Sequence, residues 1–348
     1  MPDTTTPVPP AQPEEPTPAQ VDVPVTRLED PLTAAPDAPV ETPAPPADPA
    51  YRLPAPPWKD VVGPGCAKVA PIVVADAVTK TFGGLTAVDV EHLEIPRHAI
   101  TALIGPNGAG KTTFFNLLTG FDHPDRGEWT FNGKGISGVP AWKISRMGQV
   151  RTFQLTKAFG GLTVLDSMKL GARDQRGEHF WSALVPPSWR PQEREIEERA
   201  LHLLQEFKLY EKRDDMALSM SGGQRKLLEM ARALMSSPQL VMLDEPMAGV
   251  NPALTQSLLG HIVRLKDEGM SVVFVEHDMH MVQAIADWVV VMAEGRIVAE
   301  GVPSEVMRDP VVVDAYLGAN MDRDLHEVVQ DIRASYAASH PSGGDQHE

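Results

Sequence analysis

The sequence predicts an α/β fold organised around a parallel sheet, and three observations carry that prediction. The apolar run Ala99 to Ile104 passes directly into Gly105-Pro106-Asn107-Gly108-Ala109-Gly110-Lys111-Thr112-Thr113, so a buried strand feeds a glycine-rich turn. A second apolar run, Leu240 to Leu243, ends in the carboxylates of Asp244 and Glu245. After Ser221, helical and extended patterns alternate through short connections, which is how βαβ units are written.

The first 57 residues hold 18 of the chain's 33 prolines and show little hydrophobic periodicity. Such a segment cannot bury enough surface to offset the entropy of ordering, so residues 1–70 are expected to be a disordered, Pro-rich acidic tail. Short β-branched runs follow at Ile72 to Ala75, Ala87 to Ile95 and Ala99 to Ile104 and read as strands. From Gly161 to Leu218 the period becomes helical, with Ile196, Ala200, Leu203, Leu204 and Phe207 on one face, and a separate helical lobe is expected. A helix from Ser221 to Leu234, a strand at Leu240 to Leu243, a helix around Leu254 to Leu265 and a strand at Val272 to Val275 come next. Strands Val289 to Met292 and Ile297 to Ala299 flank a Glu294-Gly295 turn and predict a closing hairpin. Beyond Gly318, the spacing of Leu325, Val328, Ile332 and Tyr336 predicts an amphipathic helix, docked on its own domain or offered to a partner, within a C-terminal segment 320–348.

Charge narrows the function. Of the net charge of −16, residues 1–60 contribute −7 and residues 320–348 contribute −4, which leaves −5 for the body of the chain. Proteins that grip duplex nucleic acid present dense Lys/Arg faces, so a nucleic-acid partner is excluded as an expectation. Cys66 is the only cysteine, which rules out an internal disulfide. No apolar run approaches the roughly 18 residues of a membrane span, and the start lacks a signal-peptide pattern, so a chain working in the cytosol is expected.

The string Gly105 to Thr113 has the P-loop spacing. Its glycines let successive backbone N–H groups turn toward phosphate, and the helix that follows adds the positive end of its dipole. Lys111 would reach the β- and γ-phosphates, and the Thr112 hydroxyl would bind Mg²⁺. Asp244 and Glu245 stand at the C-terminal edge of a buried strand, where parallel sheets bind ligands. There Asp244 would hold the Mg²⁺ shell and Glu245, one residue on, is the candidate base for an attacking water. His277, after the Val272–Val275 strand and Glu276, reaches the same edge, to contact a γ-phosphate, to orient Glu245 or simply to serve the fold. Met220-Ser221-Gly222-Gly223-Gln224 opens a helix and forms a second anion-binding start. Since the P-loop already supplies one cradle, the second start suits a nucleotide held by another subunit, which predicts a head-to-tail dimer.

From about Ile72 to Gly318 the chain resembles the ATP-binding subunits of ABC transporters, with the P-loop, Gln154 in Arg-Thr-Phe-Gln, Ser-Gly-Gly-Gln, Asp244-Glu245 and His277 in order. The resemblance implies a P-loop ATPase domain over 71–319, with an antiparallel β subdomain and an inserted helical subdomain at about 155–220. It also implies ATP hydrolysis with Mg²⁺, driving separate membrane permease subunits from the cytoplasmic face of the membrane, with an external binding protein acting indirectly. By the same likeness Gln154 would touch Mg²⁺ and the attacking water, and Phe82 would stack on adenine unless it is a core residue. Two departures stand out: Met220 replaces the usual Leu, and Asn251 sits where many relatives carry Asp. The strings Phe82-Gly83-Gly84-Leu85, Ala248 to Pro252, Glu276 to Met279 and Asp314 to Gly318 are most similar to the ATPases of branched-chain amino acid importers. Urea importers and lipopolysaccharide exporters share parts of them. DNA-repair relatives insert a long coiled coil where only 66 residues separate Gln154 from Ser221, and ribosome-associated relatives carry tandem cassettes. No Asn-Lys-x-Asp string selects guanine. Phe180, Trp181, Pro186, Pro187 and Trp189 suit contact with membrane subunits and internal packing equally.

Overall fold

Apolar alternation, strand by strand, divides this chain's core in two. The computed structural model describes residues 63–152, 161–175 and 186–317. Residues 1–62 of the expected tail, Gln154, Phe180, Trp181 and the helix expected beyond Gly318 lie outside those residues; the last part of that tail, residues 63–70, is described, and Lys68 there is buried against Glu300.

The first sheet is antiparallel, with strands β1 (Val73–Phe82), β2 (Leu85–Ile95), β4 (Arg126–Phe131) and β5 (Lys134–Gly135) in the order β2-β1-β4-β5. The second has the order β10-β9-β3-β8-β7-β6, built from β3 (Ile100–Ile104), β6 (Gln149–Arg151), β7 (Leu240–Asp244), β8 (Ser271–Val275), β9 (Trp288–Ala293) and β10 (Arg296–Gly301). Its neighbours from β9 to β6 pair in parallel, and β10 closes it as an antiparallel hairpin. Glu294 and Gly295 both have positive φ, 49° and 81°, the geometry of a tight two-residue hairpin turn.

Both faces of the second sheet are covered, which is why its strands read as unbroken apolar runs. Val241 and Leu243, Val272 and Phe274, and Val289 and Val291 face one cluster, whereas Leu240 and Met242, Val273 and Val275, and Val290 and Met292 face the other. The second cluster is completed by the antiparallel sheet and by helix α1 (Lys111–Leu118) through Phe114, Phe115, Leu117 and Leu118. Gln149 of β6 donates from its amide to Leu118 O, with helix α2 (Ala141–Met147) alongside.

The first cluster holds the helical insertion, α3 (Val164–Lys169) and α4 (Pro186–Glu206), and the helix that follows it, α5 (Gly222–Leu234). Ala200, Leu203, Leu204 and Phe207 are buried there as the helical period predicts, and Ile196 packs at its margin. The insertion is therefore separate in sequence but continuous with the sheet's core. Helices α6 (Pro252–Asp267), α7 (Met279–Ile285), α8 (Pro303–Val306) and α9 (Pro310–Leu317) complete the described fold.

Three strands had no counterpart in the reading of the sequence. β4 shows only two inward residues, Trp129 and Phe131, β5 has two residues, and β6 is an edge strand whose end residues, Gln149 and Arg151, are polar. β1 runs to Phe82 rather than ending at Ala75, because positive φ at Ala77 and a register shift at Lys80/Thr81 break its alternation.

Candidate active site

β3 delivers five buried residues into Gly105–Gly110, and α1 starts at Lys111 with Gly110 as N-cap. A Cβ on Gly105 would meet Met292 O at 2.0 Å, and one on Gly110 would meet Ala87 O at 2.3 Å, so the loop is pressed against β9 and β2. Gly108 (φ 80°) has open space around it, so there the backbone angle alone calls for glycine. Asn107, Gly108 and Thr112 are exposed, Pro106 and Thr113 are half-buried, and Ala109 is buried. The Lys111 ammonium donates to Gly105 O (2.6 Å) and Pro106 O (2.9 Å). Burial lowers its pKa, while the nearby Glu245 and Asp244 charges push it back up.

The strand register sets Leu103, Val275 and Asp244 in one row across β3, β8 and β7. The P-loop, Glu276-His277 and Asp244-Glu245 therefore leave the sheet along a single edge. Glu245 turns there with φ 44°, a conformation that costs a non-glycine residue about 1–3 kcal/mol. Its N–H donates to Val275 O (3.1 Å) and its carbonyl accepts from Lys226 Nζ of α5 (2.8 Å), so both sides of the strained residue are tied. Behind it, Glu276 is 2% exposed and accepts from the Met247 N–H at 3.1 Å and the His277 N–H at 3.3 Å. Burial raises the Glu276 pKa against those two bonds. The His277 side chain is 67% exposed, its Nδ1 3.7 Å from Glu276 Oε2.

Asp244 is paired with Arg151 (Nη2 to Oδ2, 2.7 Å), and both side chains are largely buried. The oxygens of Thr112 and Asp244 are hard donors, suited to Mg²⁺, which shares its coordination with phosphates and water.

Ser221 caps α5 reciprocally. Its Oγ accepts from the Gln224 N–H (3.3 Å), and Gln224 Oε1 accepts from the Ser221 N–H (3.1 Å). Ser221 and Gly222 face solvent, whereas Gly223 is packed so closely that a Cβ would meet Leu254 Cδ1 at 2.6 Å. Met220 is buried as an apolar plug, and Asn251 accepts from the Leu254 N–H (3.0 Å) as the N-cap of α6, so each departure has a structural use. Phe82 is 50% exposed, with the Lys80 ammonium 5.2 Å from its ring, which sets it outside the core.

Three residues that the sequence left without a role stand in or beside the site: Arg151, Lys226 and Asn116. One turn beyond Lys226, Glu229 is also buried, and it carried a signal, since a carboxylate interrupts the apolar stretch Leu227 to Ala231.

A phosphate loop between strand and helix, with a carboxylate pair at the same edge of the parallel sheet one strand further over, defines a P-loop nucleotide hydrolase. Residues 88–248 match the family described as ABC transporter, and residues 296–321 match the branched-chain amino acid ATP-binding cassette transporter family. The chain is 42% identical over 248 residues to an Archaeoglobus fulgidus protein described as "Probable branched-chain amino acid transport ATP-binding protein LivG", covering 71% of this chain and 96% of that one. It is 40% identical over 250 residues to the high-affinity branched-chain amino acid transport ATP-binding protein BraF of Pseudomonas aeruginosa, covering 71% and 98%. Among solved structures, a nucleotide-free ATP-binding cassette from an ABC transporter superposes with a TM-score of 0.62 at 35% identity, covering 71% of this chain and 98% of that one. An ADP conformation of such a cassette gives 0.62 at 34%, covering 72% and 100%. The chain belongs to the ATP-binding subunits of ABC transporters and is an ATPase. No helix among the described residues is long and apolar enough to cross a membrane.

Proposed function

We propose that this chain hydrolyses ATP to drive a branched-chain amino acid importer. It would act from the cytoplasmic face of the membrane, on permease subunits served indirectly by an external binding protein. The observation that carries the reading is the single sheet edge shared by Lys111, Asp244, Glu245 and His277, together with the names its relatives bear.

In this reading the backbone of Gly105 to Thr113 holds the phosphates and Lys111 neutralises the β/γ charge. Phe82 stacks on the adenine, its exposure leaving the ring face accessible. Thr112, Asp244 and Gln154 hold Mg²⁺, which when bound neutralises charge on the transferred phosphoryl group. Glu245 takes the proton of the attacking water, and the strained backbone with its two ties holds that carboxylate at the strand edge. His277 orients the γ-phosphate or Glu245. Ser221, Gly222, Gly223 and Gln224 form the helix start that meets the nucleotide of a second ATPase subunit, this chain or a paralogue, with Ser221 and Gly222 open to solvent and Gly223 seating the start against Leu254.

Two experiments test it. Glu245→Gln is expected to bind ATP normally, to lose hydrolysis by about 10²-fold or more, and to elute as an ATP-dependent dimer on gel filtration. A monomer in ATP and Mg²⁺, alone and with its partner ATPase, would overturn the sandwich or the base assignment. Labelled leucine, isoleucine and valine uptake in cells lacking the gene should return with the wild type and not with Lys111→Ala. Unchanged uptake in all strains, with urea uptake altered, would move the cargo assignment.

A further inference from the structure

Arg151 ends β6, the edge strand of the parallel sheet, where Arg151 lies beside Met242 of β7. Its guanidinium spans three elements. Nη2 bonds Asp244 Oδ2 at 2.7 Å at the end of β7, and Nη1 bonds Asn116 Oδ1 at 2.6 Å and Thr119 Oγ1 at 3.3 Å on and just after α1. The rings of Phe115 and Phe121 flank it at 5.1 and 5.8 Å. Its side chain and that of Asp244 are each 8% exposed.

A buried ion pair is a poor way to stabilise a strand end, because desolvation takes back most of the Coulombic gain and apolar residues of similar volume usually do as well. The position of this pair suggests another use. One planar fork connects the helix that begins with Lys111 and Thr112 to the strand that ends in Asp244, three residues before Gln154.

We propose that Arg151 is a positioning residue for ATP hydrolysis, holding one oxygen of Asp244 so that the other is aimed at the nucleotide's divalent cation. This rests on the reading that Asp244 faces that cation. Arg151 acts through Asp244 and does not touch the nucleotide. It has two separable effects. The fork ties Asp244 Oδ2 through one nitrogen and Asn116 of α1 through the other, a bridge of fixed geometry that a single ammonium does not reproduce. The positive charge opposes a cation bound nearby, and so keeps metal affinity moderate.

The two effects predict a shared loss of rate but different cation affinities in two variants. In Arg151→Met both charge and fork are lost: the cation binds more tightly while hydrolysis slows. In Arg151→Lys the charge stays and the fork goes: cation affinity is kept while hydrolysis still slows.

The test is Mn²⁺ binding to the full chain with a non-hydrolysable ATP analogue, followed by electron paramagnetic resonance, beside Mg²⁺-dependent ATPase rates. For Arg151→Met the expected result is Mn²⁺ binding about threefold tighter or more, with kcat about tenfold lower. For Arg151→Lys, Mn²⁺ affinity stays within about twofold of wild type while kcat falls about threefold or more. Wild-type Mn²⁺ affinity in Arg151→Met, or a wild-type kcat in Arg151→Lys, overturns the proposal. Asp244→Asn separates the two layers. If it weakens Mn²⁺ binding while Arg151→Met changes nothing, only the role of Arg151 fails. If it leaves Mn²⁺ binding untouched, the metal role of Asp244 fails as well. Should Arg151→Met not fold, Asn116→Ala removes the second anchor alone. A lower kcat with unchanged Mn²⁺ affinity then supports positioning, and an unchanged kcat overturns it.

Discussion

Glu229 lies in the middle of α5 among Leu227, Leu228, Met230 and Ala231, and one of its carboxylate oxygens has no hydrogen-bond partner among the described residues. Burial pushes its pKa from 4.5 up to about 7, against the pull of Arg232, Lys226 and Arg225. A carboxyl with a raised folded pKa favours the fold where both states are protonated. That contribution is full below about pH 4.5 and is lost as pH rises through about 7, where only the unfolded chain ionises freely. The loss is roughly 3 kcal/mol at 1.36 kcal/mol per pH unit. Glu229→Gln should therefore raise the unfolding midpoint at pH 8, leave it nearly unchanged at pH 4.5, and flatten the slope between, as read by thermal denaturation across that range. An unaltered slope would mean that the carboxyl is ionised in the folded protein. Lys226, one turn earlier on the same helix, shows how a single residue links two levels of structure: its own burial lowers its pKa, yet it spends its ammonium on the carbonyl of Glu245.

The elements that were legible in the sequence are those whose side chains obey one rule along their length. β3, β7, β8 and β9 are buried on both faces and read as apolar runs, and α5 announces its start by Ser221 and Gln224 three residues apart. Removing that cap gives an element-level prediction. Ser221→Ala should lower stability by only about 1 kcal/mol, while ATP-dependent dimerisation and hydrolysis fall by more than the stability change explains. Equal losses in calorimetry and activity would reduce Ser221 to a cap. What escaped the sequence was set by tertiary surroundings. β6 is three residues long and its polar Gln149 and Arg151 are satisfied by Leu118 O, Asn116 and Asp244, partners on α1 and β7 that no local spacing encodes. The site divided in the same way: the phosphate loop and Asp244-Glu245 are contiguous strings, whereas Lys226 reaches Glu245 from 19 residues away and Glu276 binds Met247 across 29.

At the scale of the whole domain, residues far apart in the chain close the structure. The ammonium of Lys68 meets Glu300 Oε2 at 2.7 Å with both side chains fully buried, and Trp288 Nε1 donates to the same oxygen at 3.0 Å. Cys66 adds its N–H to Glu300 Oε1 at 2.8 Å, so the segment entering the antiparallel sheet is clasped to β9 and β10. Lys68→Met would leave the Glu300 carboxylate buried without its cation, at a cost of about 3–5 kcal/mol. The expected result is an unfolding midpoint lower by roughly 10 °C, partly restored when Glu300→Gln is added. A single variant as stable as wild type would mean that the clasp between Lys68 and Glu300 does not hold the segment in place.

The strand order of the parallel sheet also bears on how the protein is made. β3 ends at Ile104, but its neighbours on either side are β8, which begins at Ser271, and β9, which begins at Trp288. On a ribosome adding about 5–20 residues per second, the strand that leads into the phosphate loop has emerged for roughly 10–30 s before either flank exists. During that interval a five-residue strand with four apolar side chains and open backbone edges is exposed to any other unfinished chain. The motif most readable in the sequence is thus among the last parts of the domain to find its place, and the newborn chain needs shielding until its final third has been synthesised.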